Sequence, residues 1–126
     1  MSESESIPDD VRRFVLTSVP SVSYLEAMLI FRERAGAALT AADLAQALYI
    51  EPQAAETLMH ALRAAGIIAE EDAAYRYAPS ATLKQTVDRL AIAYPRHLLG
   101  ITQLIHNATQ QAAHQFASAF KWRKGK

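Results

Sequence analysis

The thirty residues from Leu39 to Ile68, LTAADLAQALYIEPQAAETLMHALRAAGII, decide the fold. Thr40-Ala41-Ala42-Asp43 reads as a capped helix start, with a hydroxyl placed to accept from a free backbone N–H and an acid in the first turn. Leu44, Ala47 and Leu48 then form an apolar stripe at helical spacing. Pro52 suits the first turn of a second helix. There Ala55, Met59 and Leu62 recur at i, i+4 and i+7, and Gly66 supplies the stop. Beyond it, Ile67-Ile68-Ala69 and Tyr75-Arg76-Tyr77 are β-prone runs separated by Glu70–Ala74. They predict a hairpin with a short tip, although the Asn-Gly signal of a tight hairpin is missing.

Upstream, residues 1–7 are rich in Ser and Glu and are expected to be disordered. Pro8-Asp9-Asp10 opens a short helix with Val11, Phe14 and Val15 on its apolar face, and Val19-Pro20 ends it. Ser23-Tyr24-Leu25-Glu26 has capping-box spacing. Leu25, Met28, Leu29 and the methylene stem of Arg32 follow at helical intervals until Gly36. Downstream, Leu83, Val87, Leu90, Tyr94, Leu98, Ile101 and Ile105 recur every three or four residues, an eleven-residue repeat that keeps its stripe on one side of a nearly straight helix. Pro95 removes an amide donor and crowds the preceding turn, so a kink or two abutting helices are expected. Ala113, Phe116, Ala117 and Phe120 mark a final amphipathic helix over Gln110–Phe120, before the basic tail 121–126.

The composition agrees with a mostly α chain. Of the 126 residues 51% are apolar, but 25 of these are Ala, the best helix former, and there are only four Gly and five Pro. With no Cys there is no disulfide, thiolate metal site or thiol nucleophile, which fits a reducing cytoplasm. No apolar run approaches the ~18 residues of a membrane span, and the acidic first ten residues are unlike a signal peptide. Thirteen basic residues balance thirteen acidic ones, but unevenly. Thr40–Asp72 carries six acids against Arg63 alone, whereas seven of the bases lie from Lys84 onward with only Asp88 against them.

The Leu39–Ile68 stretch resembles the winged helix-turn-helix of bacterial transcription regulators, the multiple-antibiotic-resistance-regulator (MarR) type being the nearest general match. Thr40, Leu44-Ala45, Ile50, Pro52, Ala55, Met59, Leu62 and Gly66-Ile67-Ile68 fall in that family's register without a gap. The resemblance covers roughly Val22–Pro79. It implies a three-helix core with a β-hairpin wing over residues 8–79, extended by an N-terminal helix and by C-terminal helices over 80–120. It also implies duplex DNA as partner, with the second helix of the pair in the major groove and the first bracing it on the backbone. Thr40, Gln53, Ala54, Glu56, Thr57, His60, Arg63 and Arg76 would then be the DNA-facing residues. Gln suits adenine, Thr a thymine methyl and Arg phosphate. Such regulators dimerise through flanking helices, so the Leu83–Ile105 stripe becomes the expected homodimer interface.

A second function stands beside DNA reading. The second helix lacks any base before Arg63, Tyr49 stands where many relatives place Gly, and Glu70-Glu71-Asp72 puts acids where a wing usually offers cations to phosphates. The same fold would serve as a protein-interaction module with an acidic face docked on a basic protein partner. Arg12, Arg13, Lys121, Arg123, Lys124 and Lys126 are further candidates for phosphate contact. His60, His97, His106 and His114 lack metal-ligand spacing, Tyr24, Tyr49, Tyr75 and Tyr77 of the five tyrosines read as half-buried strand or turn aromatics, and no nucleophile motif or phosphate loop is present. Neither a cofactor, a metal nor an enzyme activity is expected.

Overall fold

Backbone donors without partners decide where each helix begins. The computed structural model describes the backbone of residues 7–124 and the side chains of residues 7–111. Among these the chain is mostly helical with one small antiparallel sheet, in the order α1 (Asp9–Ser18), α2 (Val22–Glu33), α3 (Ala41–Leu48), α4 (Pro52–Ala64), β1 (Ile68–Glu71), β2 (Ala74–Tyr77), α5 (Ala81–Arg96) and α6 (Leu98–Lys124). Asp9 and Asp10 occupy the first turn of α1, where acids oppose the helix dipole. The cap of α2 is Ser21, two residues ahead of the Ser23 that the sequence favours: its Oγ accepts from the Tyr24 N–H at 3.1 Å. Thr40 and Asp43 close a reciprocal capping box on α3, at 3.1 and 2.9 Å.

Between α3 and α4 lies a three-residue turn in which Tyr49 adopts the left-handed region, φ 57°. Ala55, Met59 and Leu62 are buried along one side of α4, and Gly66 ends it at φ +81°. The hairpin is tighter than expected. Its strands run on through Glu70, Glu71 and Ala74, pairing Ile68 with Tyr77 and Glu71 with Ala74, which leaves only Asp72 and Ala73 at the tip. Both tip residues have positive φ, 50° and 66°, as the two-residue hairpin turn that matches strand twist demands. Leu39 joins β2 through a single bridge, exchanging two 2.8 Å backbone hydrogen bonds with Tyr75.

One apolar cluster runs from Ile7 to Ile105 and draws on every helix. Ile7, expected in a disordered terminus, is 5% exposed and sits against Gly100. Residues 1–6 lie outside the described part. Leu44 and Ala45 are the buried pair of α3, whereas Ala47 and Leu48 are half-buried. Pro95 does end one helix: α5 stops at Arg96 and α6 starts two residues later. From there α6 continues to Lys124, so the expected separate helix over Gln110–Phe120 and the start of the basic tail belong to one long helix. The side chains of that part lie outside the described residues.

The long stripe divides between two destinations. Val87, Leu90, Ile101 and Ile105 are in the chain's own core, because α1 lies across α5 and α6 and covers them. Leu83 and Tyr94 are half-buried, and Leu98 is exposed. Four of the seven residues expected to face a second copy are therefore already engaged. The large apolar side chains left exposed here are Ile92, Leu98 and Leu99. Polar ties hold the same helices: Arg32–Asp88 at 2.8 Å joins α2 to α5, Arg89–Asp10 at 2.6 Å joins α5 to α1, and the Thr109 hydroxyl donates to the Pro20 carbonyl at 3.1 Å.

Leu90, fully buried, tests the first destination. Leu90→Ala is expected to cost about 2–5 kcal/mol of folding stability in urea titration, the usual range for a cavity left in a core. A loss well under 1 kcal/mol would place the residue outside the core. The ion pairs set a pH dependence. Asp88 is held below the ordinary carboxylate range by the hydrogen bond from Arg32 and then that from Lys84. A carboxyl depressed in the folded state stabilises fully above its unfolded pKa, and this is lost as pH falls through the folded value. Asp88→Asn should therefore weaken the fold at neutral pH, and its gap from the native chain should begin to narrow below about pH 4 and close only once pH passes the depressed folded value. A gap that stays constant in pH-resolved urea melts would contradict the pairing.

Candidate interaction face of α4 and the hairpin

Helical spacing that turns Ala55, Met59 and Leu62 inward must turn the residues between them outward. Gln53, Ala54, Glu56, Thr57 and His60 are accordingly all exposed on one side of α4, together with Arg63 near its end. The structure brings these six onto one helix surface, with the hairpin beside its C-terminal part. Both hydroxyls of the expected set have other commitments. The Thr40 hydroxyl caps α3, and Thr57 Oγ1 donates back to the Gln53 carbonyl at 3.1 Å. The Asp43 carboxyl is held low, first by the backbone N–H of Thr40 and then by its side chain.

The hairpin's alternation decides the electrostatics of this face. Successive strand residues point to opposite sides, so Glu70 and Glu71 cannot act together. Glu70 stands opposite Tyr75 on the side of α4, where it meets Arg63 at 3.0 Å. Glu71 is on the other side and takes Arg76, its diagonal neighbour across the ladder, at 2.6 Å. Arg76 also donates to the Gly36 carbonyl. As stability these exposed pairs count for only about 0–1 kcal/mol each. As charge they count fully. Both arginines of the expected DNA-facing set, Arg63 and Arg76, are thus paired with acids of the hairpin itself. Glu51, Glu56 and Asp72 have no cationic partner among the described residues.

The other basic candidates are elsewhere. Arg12 and Arg13 are on α1, which packs against α5 and α6. Lys121, Arg123 and Lys124 belong to the far end of α6, with side chains outside the described residues, as Lys126 is entirely. Among the described residues no three His, Asp or Glu side chains come together as a metal site. No single helix there is long and apolar enough to cross a membrane.

Two of the tyrosines depart from the expected half-buried strand or turn setting, Tyr49 towards solvent and Tyr24 towards the core. Expected to be half-buried, Tyr49 is 94% exposed at the turn that leads into α4, on a backbone that L side chains adopt at a cost of about 1–2 kcal/mol. The signal was present, a bulky residue at a turn position where a glycine is at ease. Tyr24, by contrast, is 4% exposed inside α2, while Tyr75 and Tyr77 are half-buried in β2. The Tyr77 hydroxyl is buried with no hydrogen-bond partner among the described residues. Between α4 and the hairpin the surface dips into a cavity of about 240 Å³ lined by Ala41, Glu56, Met59, His60, Glu70, Ala73 and Tyr75.

No family model, no curated protein and no solved structure matches the chain. Function must therefore be argued from this face.

An exposed aromatic ring on a strained backbone contributes no packing to the fold. Tyr49→Gly should thus relieve the left-handed strain and, after the entropy a glycine loses on folding, raise stability by up to about 1 kcal/mol. A thermal or urea midpoint that falls instead would mean that the ring packs on the folded chain.

Proposed function

We propose that residues 22–79 form a winged helix and that this chain uses it as a protein-interaction module, docking a basic segment of a partner protein on the face of α4 and the hairpin. The winged-helix reading is supported by the order α2, bridge, α3, α4, β1, β2, and by Leu39 occupying the place of a third strand beside Tyr75. The observation that carries the docking reading is the pairing of Arg63 with Glu70 and Arg76 with Glu71. Duplex DNA is bound chiefly through phosphates, each neutralised one contributing about −0.9 to the slope of log K against log salt. A face whose two arginines are already satisfied, and whose remaining charges are Glu51, Glu56 and Asp72, repels that backbone. It attracts a segment rich in Arg or Lys for the same reason.

A transcriptional regulator reading duplex DNA is the second reading, favoured by one observation. Gln53 and Thr57 sit on an exposed surface of α4 near its start, the part of such a helix that enters a groove.

Fluorescence anisotropy at low salt separates the two. An arginine-rich peptide is expected to bind the full chain, and neutralising Glu70, Glu71 and Asp72 together to Gln, Gln and Asn should weaken it several-fold, with salt abolishing the difference. A pool of random duplexes should show no enrichment. Enrichment of a sequence that Gln53→Ala and Thr57→Ala each weaken by about 1–3 kcal/mol would overturn the docking reading in favour of DNA.

A further inference from the structure

The cavity between α4 and the hairpin combines features that a merely acidic surface does not have. Its volume, about 240 Å³, lies below the roughly 300–1,000 Å³ of small-molecule sites and has room for one long side chain. Met59, 1% exposed, lies beneath it, and Ala41, Ala73 and the half-buried Tyr75 complete a lining whose exposed surface is mostly polar. Its polar lining is Glu56, Glu70 and His60, with no Arg or Lys. Glu56 has no ion pair among the described residues, so both of its carboxylate oxygens are open. Glu70 already holds a guanidinium: Arg63 Nη1 lies 3.0 Å from its Oε1.

We infer that this cavity is a receptor slot for one arginine side chain of the partner's basic segment. The assignment rests on the docking reading above and names the residue that the segment must carry. Ala41, Ala73 and Tyr75 give the methylene stem of the incoming side chain a limited apolar contact, and the polar remainder of the lining is left for its charged head. A planar guanidinium stacks on a tyrosine ring and forks onto a carboxylate with two parallel bonds, here Glu56. A lysine ammonium is compact and strongly hydrated, and it forms neither the fork nor the planar stack. The slot therefore selects arginine over lysine, while the surrounding acids attract both.

The test uses the full chain and two labelled peptides of equal length, one with four arginines spaced by serines and the other with four lysines in their place. The arginine peptide should bind about tenfold more tightly. Glu56→Gln should lower its affinity by about that factor and equalise the two peptides, since the fork is lost. Asp72→Asn removes a charge from the same surface but does not line the cavity, so it should weaken both peptides slightly and equally. Backbone amide shifts of Glu56, His60, Ala73 and Tyr75 should move on titration with the arginine peptide. Glu56 is exposed and unpaired, so its variant should keep the native melting midpoint. Equal affinity for both peptides, with Glu56→Gln no different from Asp72→Asn, overturns the slot and leaves the acidic docking face standing. Failure of both peptides to bind overturns both.

Discussion

The placement of α3, α4 and the hairpin depends on the burial of α2. Tyr24, Leu25, Ala27, Met28 and Phe31 are all buried, which takes up more of the helix circumference than one apolar stripe can supply. A helix of this kind has to be enclosed, and its neighbours do so from several directions. α3 and α4 pack on it, β2 touches it, and Arg32 at its end reaches Asp88 on α5. The turn between α3 and α4 follows from that demand. The two helices can both present Leu44 and Met59 to α2 only if the chain reverses within three residues, and the left-handed backbone at Tyr49 is where it does so.

The same enclosure explains the second layer. α1, α5 and α6 bury Val11, Val15, Val87, Leu90, Ile101 and Ile105 among themselves and against the first layer, so four of the seven stripe residues are satisfied within one chain. The break after Pro95 is essential here, because it lets α5 and α6 each turn their part of the stripe towards α1. What remains exposed at that corner is Ile92, Leu98 and Leu99 rather than the full seven-residue row.

Charge on the face of α4 is decided at the hairpin. A two-residue tip extends both strands, and extension puts Glu70 and Glu71 into the alternating pattern of the ladder. One acid is thereby directed to α4 and the other to the outer side, and each finds an arginine. The electrostatic character of the surface is thus a consequence of backbone register more than of composition.

Local chemistry made much of the architecture legible in the sequence. The Thr40–Asp43 cap, Pro52, Gly66 and the Ala55-Met59-Leu62 spacing act within a few residues of themselves, so α3, α4 and the turn between them could be placed from one stretch. The acidic bias of residues 40–72 was equally visible, and so were the exposed positions Gln53, Glu56, Thr57 and His60. Where a decision needed partners far along the chain, the sequence was silent. Periodicity shows that Leu90 and Ile101 need burial but not whether α1 or a second copy supplies the cover; tertiary packing decided for α1. Ile7 follows a polar, disorder-prone run, yet an apolar seat beside Gly100, ninety-three residues on, holds it in the core. Tyr49 has the ring of a buried residue, but the φ imposed by closing the turn leaves it in solvent. Arg63 and Arg76 looked available for phosphate because composition counts charges, and only the strand register of β1 determined which acid each would meet.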